Sequence, residues 1–86
     1  MKVFYSPTFL RQLKALEPTL KEEAIEKIEL FKDPANHRRL RVHKLKGLLV
    51  DRYSFSVNYH IRIVFSCINN KKTVLLTAIG DHDVYK

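Results

Sequence analysis

Apolar residues recur at two different spacings along the chain, and the spacing changes between Asp33 and Gly47. Before Asp33 the spacing is helical, in two stripes that Pro18 separates, and this predicts two consecutive helices. Ser6 and Pro7 predict the start of the first helix, as an N-cap followed by a proline at the first helical position. The stripes consist of Phe9, Leu13 and Leu16 in the first helix and of Leu20, Ala24, Ile28 and Phe31, widened by Ile25, in the second.

After Gly47 the spacing becomes two, which is typical of β-strands. The clearest alternation predicts a strand over residues 59–67. Tyr59, Ile61, Ile63, Phe65 and Cys67 are expected on one face, and His60, Arg62, Val64 and Ser66 on the other. Further strands are expected over residues 48–55 and 73–79, joined to it through residues 56–58 and a turn at 69–72, with a short first strand over residues 2–5.

These elements predict an α+β fold in the order β-α-α-β-β-β. The simplest arrangement that buries both helical stripes is a four-stranded antiparallel sheet with the helical hairpin on one face. The other face of the sheet is left to solvent or to a ligand. With 86 residues, the chain is expected to form one domain, residues 1–86.

The charge of the chain indicates what kind of ligand to expect. Sixteen Lys and Arg against nine Asp and Glu give a formal net charge of +7, which favours nucleic acid or an acidic protein partner. The segment from Asn36 to Gly47 contains no acidic residue. The alternative, that basic charge only keeps the protein soluble, is weakened by this clustering.

Other sequence features narrow the classes of function. The sequence has a single cysteine, Cys67, which excludes an internal disulfide and fits a reducing cytoplasm. Because Cys67 lies on the apolar face of its predicted strand, it is expected to be a core residue. No apolar run approaches the length of a membrane span, so no membrane partner is expected. We find no metal-ligand spacing and no nucleotide-binding or serine-hydrolase motif, so no metal and no cofactor is predicted.

Arg62 is the most informative candidate for chemistry. It interrupts an apolar strand, where a guanidinium is costly unless it faces a solvated or paired site, so it is expected on the open face, binding a phosphate. The alternative is that Arg62 pairs with Asp81 or Asp83. His60 is predicted on the same face two residues away, with an exposed histidine of no function as the alternative.

The end of the chain adds a second group of candidates. His82 and Tyr85 follow the last predicted strand and can project over the open face to meet Arg62. Cleavage of RNA without a metal requires activation of the 2′-hydroxyl, stabilisation of the phosphorane and a proton for the departing 5′-oxygen. His, Arg and Tyr can supply these, although a surface histidine in an acidic turn is an equally good interpretation of His82.

Basic residues in the connector are candidates for binding the RNA backbone. Lys44 and Lys46 are expected on one side of an extended stretch, and Arg41 and His43 continue the basic segment. We expect these four residues to contact phosphates. A solvated loop is the alternative.

Three segments of the sequence resemble the RelE/ParE superfamily of toxins, and among its branches the plasmid-stabilisation and YafQ-like toxins. They are Lys44-Leu45-Lys46-Gly47, the strand pair from Tyr53 to Phe65, and Ile79-Gly80-Asp81-His82-Asp83-Val84-Tyr85. The resemblance extends over the whole chain and includes the order of elements.

The resemblance implies a ribosome-dependent mRNA endoribonuclease that works without a metal. It also implies partners: the ribosome and its mRNA, a cognate antitoxin from the same operon, and operator DNA only through the antitoxin complex. By position, it implies that Arg62 acts on the scissile phosphate, His82 as the catalytic histidine and Tyr85 as the C-terminal aromatic that positions or protonates the substrate.

The sequence also departs from the family pattern. Ser54 and Ser56 stand where some RelE-type enzymes have two lysines, and the segment from His82 to Tyr85 is slightly short. Two other functions therefore stay open. One is a ParE-like gyrase inhibitor that shares the fold without nuclease chemistry, and the other is a non-toxic relative that serves as co-repressor of its antitoxin.

Overall fold

A computed structural model describes residues 1–46, 51–68, 72–81 and 84. In this part of the chain the elements are β1 (Lys2–Tyr5), α1 (Pro7–Ala15), α2 (Pro18–Phe31), a 3-10 helix (Pro34–Asn36), β2 (His43–Lys44), β3 (Arg52–Ser56), β4 (Arg62–Ile68) and β5 (Thr73–Gly80). The predicted α+β class is confirmed. Among the described residues, neither helix has the length and apolar character needed to cross a membrane.

The first helix begins where the sequence predicts, and the second begins at Pro18, the residue that separates the two stripes. The Ser6 hydroxyl accepts a hydrogen bond from the backbone N–H of Phe9 at 3.0 Å, which satisfies one of the unpaired donors of the first turn. Each helix has a proline in its first turn, where no hydrogen bond is lost. After α2, Asp33 caps the 3-10 helix by accepting from the N–H of Ala35 at 3.0 Å.

The sheet differs from the predicted four antiparallel strands. In the described residues it has five strands in the order β1-β5-β4-β3-β2. β1 runs parallel to β5, whereas the other pairs are antiparallel. Both helices and three strands separate β1 from β5 along the chain, so no tight turn fixes their relative direction. The strand that was not predicted, β2, lies at the edge of the sheet within the basic segment that we expected to be a connector.

The start of β4 was also predicted wrongly. Tyr59, His60 and Ile61 belong to the connection after β3, and the strand begins at Arg62. The N–H of Val57 donates to the carbonyl of Ile61 at 2.9 Å, which closes a loop where a strand was expected. The predicted strand residues 48–50 and turn residues 69–71 lie outside the described residues.

The core lies between the helices and one face of the sheet, as predicted. Phe31 of α2 stacks on Phe55 of β3, with ring centroids 4.3 Å apart, and packs against Phe65 of β4 at 4.9 Å. Ile63, the central residue of this face, is completely buried. Ile25, which we expected to widen the apolar stripe, is 48% exposed and lies outside the core.

Candidate phosphate-binding site

A concave pocket of about 200 Å³ lies at the end of the sheet where β3 leads into β4. Its lining is formed by Arg41, Ser56, Asn58, Tyr59 and Arg62. Two of these five side chains are guanidinium groups, and the described lining residues include no carboxylate. The pocket therefore suits an anion such as a phosphate group.

Arg62 is fixed in this pocket by the loop that precedes it. It is the first residue of β4, where it pairs with Ser56 of β3 and Gly80 of β5. Its Nη1 donates to the carbonyl oxygens of Asn58 at 2.9 Å and Tyr59 at 3.3 Å. Since one nitrogen holds the loop, Nε and Nη2 keep their donors for a ligand, with no acceptor in the described part of the chain.

Asn58 organises the loop on which Arg62 is anchored. Its Oδ1 accepts from the N–H groups of His60 at 2.8 Å and Ile61 at 2.9 Å, an arrangement that favours a turn over an extended strand. Its Nδ2 donates to Oε1 of Glu23 at 2.6 Å, which ties the loop to α2. The carbonyl that holds Arg62 is therefore itself held by a helix.

Arg41 reaches the pocket through an unusual backbone conformation. Its φ of 59° lies in the left-handed region, which costs roughly 1 kcal/mol or more for a residue with a side chain. The preceding residue, Leu40, is buried, and its carbonyl accepts from the N–H of Ser56 at 2.9 Å. The sharp change of direction at residue 41 allows Leu40 to enter the core while the exposed Arg41 lines the pocket.

The two serines singled out in the sequence, Ser54 and Ser56, have different surroundings. Ser56 pairs with Arg62 and lines the pocket. Ser54 pairs with Val64, and both are buried although they lie on the sheet face opposite the helices. The face expected to be open is thus closed at these two residues, and only Ser56 lies at the pocket.

The remaining basic candidates do not line the pocket. His60 is exposed in the loop, rather than on the strand face as predicted, with its ring 6.4 Å from that of Tyr59. His43 and Lys44 are adjacent in β2 and therefore point to opposite faces of the sheet. Lys46 is exposed beyond β2. The structure brings together Arg41 and Arg62, but places the other four separately.

His82 and Tyr85 lie outside the described residues. The strand that leads to them ends at Gly80, which pairs directly with Arg62. The chain therefore leaves β5 beside the pocket, two residues before His82. Their roles stay predictions from the sequence.

The sequence interpretation missed Asn58 and Tyr59. Tyr59 was expected on the apolar face of β4, but it is 90% exposed and lines the pocket. A signal was available in Asn58, because asparagine readily accepts backbone hydrogen bonds two and three residues ahead. This property outweighs the alternation that continues through Tyr59 and Ile61.

Comparisons with known proteins give matches in structure but none in sequence. No protein-family model matches the chain, and no curated protein is similar to it by sequence. The structure is similar to that of the YoeB–YefM complex from Staphylococcus aureus, with a TM-score of 0.71 and 17% identity over 95% of this chain and 97% of that chain.

Two further structures show the same likeness. The intact RelBE toxin–antitoxin complex of E. coli has a TM-score of 0.70 and 20% identity over 93% of this chain and 94% of that chain. The archaeal RelE–RelB complex from Pyrococcus horikoshii has a TM-score of 0.68 and 18% identity over 93% and 92%.

The fold is a small α+β domain, with a mixed sheet and both helices in its first half. More narrowly, it is the fold shared with the RelE and YoeB structures, and it extends over almost the full length of each chain compared. The resemblance predicted from the sequence motifs is confirmed at the level of the fold.

Proposed function

We propose that this chain is the toxin of a toxin–antitoxin pair and cleaves mRNA on the ribosome. The observation that carries the proposal is the pocket that holds Arg41 and Arg62 together on a fold shared with the RelE and YoeB structures. A fixed guanidinium on an open sheet end suits the phosphate at which RNA is cut. The net charge of +7 adds a general attraction to RNA.

In the proposed reaction, the ribose 2′-hydroxyl attacks the adjacent phosphorus and the 5′-oxygen departs with a proton. Arg62 donates from Nε and Nη2 to the non-bridging oxygens, which carry more negative charge in the phosphorane than in the ground state. Because the carbonyls of Asn58 and Tyr59 already fix this guanidinium, little reorganisation is needed when the charge develops. Arg41 holds the same phosphate or its neighbour.

Proton transfer is assigned to residues at the end of the chain. His82 acts as general acid or base, and Tyr85 positions or protonates the leaving side. No residue in the proposed reaction requires a metal or a cofactor. His43, Lys44, Lys46 and His60 bind flanking phosphates, with His43 on the same sheet face as Arg62 and Lys44 on the opposite face of β2.

The proposal includes a second protein. An acidic antitoxin from the same operon binds this basic chain and neutralises it, and the complex of the two binds operator DNA. The solved complexes of similar fold, RelBE and YoeB–YefM, pair such a chain with a second protein.

The test is cleavage of mRNA on programmed ribosomes by the parent, Arg62→Lys and His82→Ala. Arg62→Lys is expected to lose about 10²- to 10³-fold in rate, because an ammonium cannot hold the loop carbonyls and the phosphate together. His82→Ala is expected to lose about 10²- to 10⁴-fold while keeping its affinity for the ribosome. Arg39→Lys is the matched control, since Arg39 is exposed in the same basic segment and does not line the pocket.

Two results would contradict the nuclease. If the parent leaves mRNA intact and inhibits gyrase supercoiling, the ParE-like alternative replaces it. If the parent does neither but strengthens operator binding by its antitoxin, the chain is a co-repressor.

A further inference from the structure

A second cavity lies on the other face of the sheet, at the end away from the basic pocket. It is an open, largely apolar cleft of about 340 Å³ between the segment after α2 and the strands β3, β4 and β5. Its lining includes His37, Val42, Tyr53, Phe65, Cys67 and Val74. The proposed RNA chemistry makes no use of this cleft.

The walls of the cleft are held in place by ring contacts. Tyr53 stacks on Phe65 with ring centroids 5.5 Å apart and the planes at 17°. His37 stacks on Phe31 at 4.8 Å and 15°, and its Nε2–H donates to the carbonyl oxygen of Phe31 at 2.9 Å. Because these contacts fix the orientation of residues in both walls, the cleft is preformed and presents apolar surface to solvent.

Basic residues adjoin the residues that line the cleft. Arg38 and Arg39 follow His37 and are exposed, and Lys44 pairs with Tyr53, so its side chain lies on the same sheet face. One nearby acid, Asp33, uses an oxygen of its carboxylate to cap the 3-10 helix. The local charge is therefore positive and complementary to an acidic partner.

We infer that this cleft receives a large apolar side chain from an acidic protein segment, with basic residues around it pairing with flanking acids. The inference rests on the proposed function, in which the partner is the antitoxin, and it assigns an anchor point for that partner. Burial of one such side chain is worth about 10- to 100-fold in affinity. A volume of about 340 Å³ accommodates a leucine, phenylalanine or tryptophan side chain.

The anchor point is separate from the RNA pocket. Cys67 and Arg62 lie five residues apart on β4, roughly 16 Å at the rise of a strand, and they point to opposite faces. The side chain that anchors an antitoxin in the cleft therefore does not contact the residues that line the RNA pocket. Substitutions in the cleft should weaken partner binding without altering the rate of RNA cleavage.

Cys67, the one cysteine in the sequence, provides the test. We expect its alkylation by iodoacetamide to slow at least 10-fold when the purified acidic protein encoded beside this gene is added at saturation. A matched control moves the thiol to the opposite face in the double variant Ser66→Cys, Cys67→Ser, whose alkylation should change less than about twofold.

A second measurement does not depend on the thiol. Val42→Asp places a carboxylate in the cleft and should weaken binding of the same acidic protein about 10- to 100-fold, whereas Ile25→Asp, on the exposed side of α2, should change it less than about twofold. Cleavage of mRNA should be unchanged in both variants. If Val42→Asp does not fold by circular dichroism, protection of Cys67 decides the matter.

The outcomes separate this inference from the proposed function. If the acidic protein binds the parent and Val42→Asp equally and leaves Cys67 reactive, the anchor is wrong while the toxin remains. Protection of Cys67 that rises with the concentration of the chain alone would assign the cleft to a second copy and overturn the inference. If no acidic protein is encoded beside the gene, or the encoded one does not bind, both proposals lose their partner.

Discussion

At the scale of single residues, Asn58 determines the geometry of the site more than any charged group does. Its side chain accepts two loop N–H groups and donates to Glu23, and its backbone carbonyl holds Arg62. The side-chain amide can accept from the loop and donate to Glu23 at once, because it carries an acceptor and a donor on one planar group. The position of the guanidinium therefore depends on a contact with α2, which lies 35 residues earlier in the chain.

This dependence can be tested by reversing the hydrogen bond between Asn58 and Glu23. Asn58→Asp keeps the acceptor for the loop but places a second carboxylate against Glu23, so we expect a loss of about 1 to 2 kcal/mol in the free energy of unfolding. Adding Glu23→Gln restores a donor and should recover most of that loss. Urea unfolding of the two single variants and the double variant measures it. Independent, additive effects would mean that the two side chains do not interact in solution.

At the scale of elements, the core face of β4 and the outer face of α2 should respond differently to the same substitution. Ile63 is completely buried against Phe55 and Ile79, its partners in β3 and β5, so Ile63→Ala is expected to cost about 2 to 5 kcal/mol. Ile25 is 48% exposed, and Ile25→Ala should cost no more than about 0.5 kcal/mol. Thermal and urea unfolding of the pair compare the two sites, and equal losses would place the core elsewhere.

The spacing of apolar residues predicted most helices and strands well, because apolar residues recur at the positions that face the core. Phe31 and Ile63 are apolar since both face the same core, and the apolar spacing around them was enough to place α2 and, except for its start, β4. The parallel pairing of β1 could not be predicted in this way, because apolar spacing records faces and not strand direction. β2 was missed because its two residues, His43 and Lys44, are exposed and leave no apolar signal.

The candidate site was less predictable than the fold. Arg62 was identified because a charged side chain within a predicted apolar strand is costly unless it is solvated or paired. Arg41 was predicted only as one of several basic residues. Its place in the pocket depends on a backbone φ of 59°, which cannot be predicted from the sequence pattern. The convergence of Arg41 and Arg62 in one pocket follows from strand register and loop closure, which involve contacts distant in the chain.

At the scale of the whole molecule, the excess of sixteen basic over nine acidic residues has two possible consequences. If it only raises solubility, every exposed lysine is equivalent. If it forms an RNA-binding surface, lysines of the basic segment release counterions from the RNA while lysines on other elements do not. Lys44, in β2, and Lys14, in the last turn of α1, are both exposed and provide the comparison.

We expect Lys44→Ala to reduce the salt dependence of binding to ribosomes programmed with a non-cleavable mRNA. Loss of one phosphate contact on a single strand should make the slope of log K against log salt concentration less negative by about 0.7. Lys14→Ala removes the same charge from α1 and should leave that slope unchanged. Titrations between about 50 and 200 mM salt, the range over which counterion release dominates, measure both. Equal changes for the two variants would show that the positive charge attracts RNA only as a whole and that the basic segment has no special part in binding.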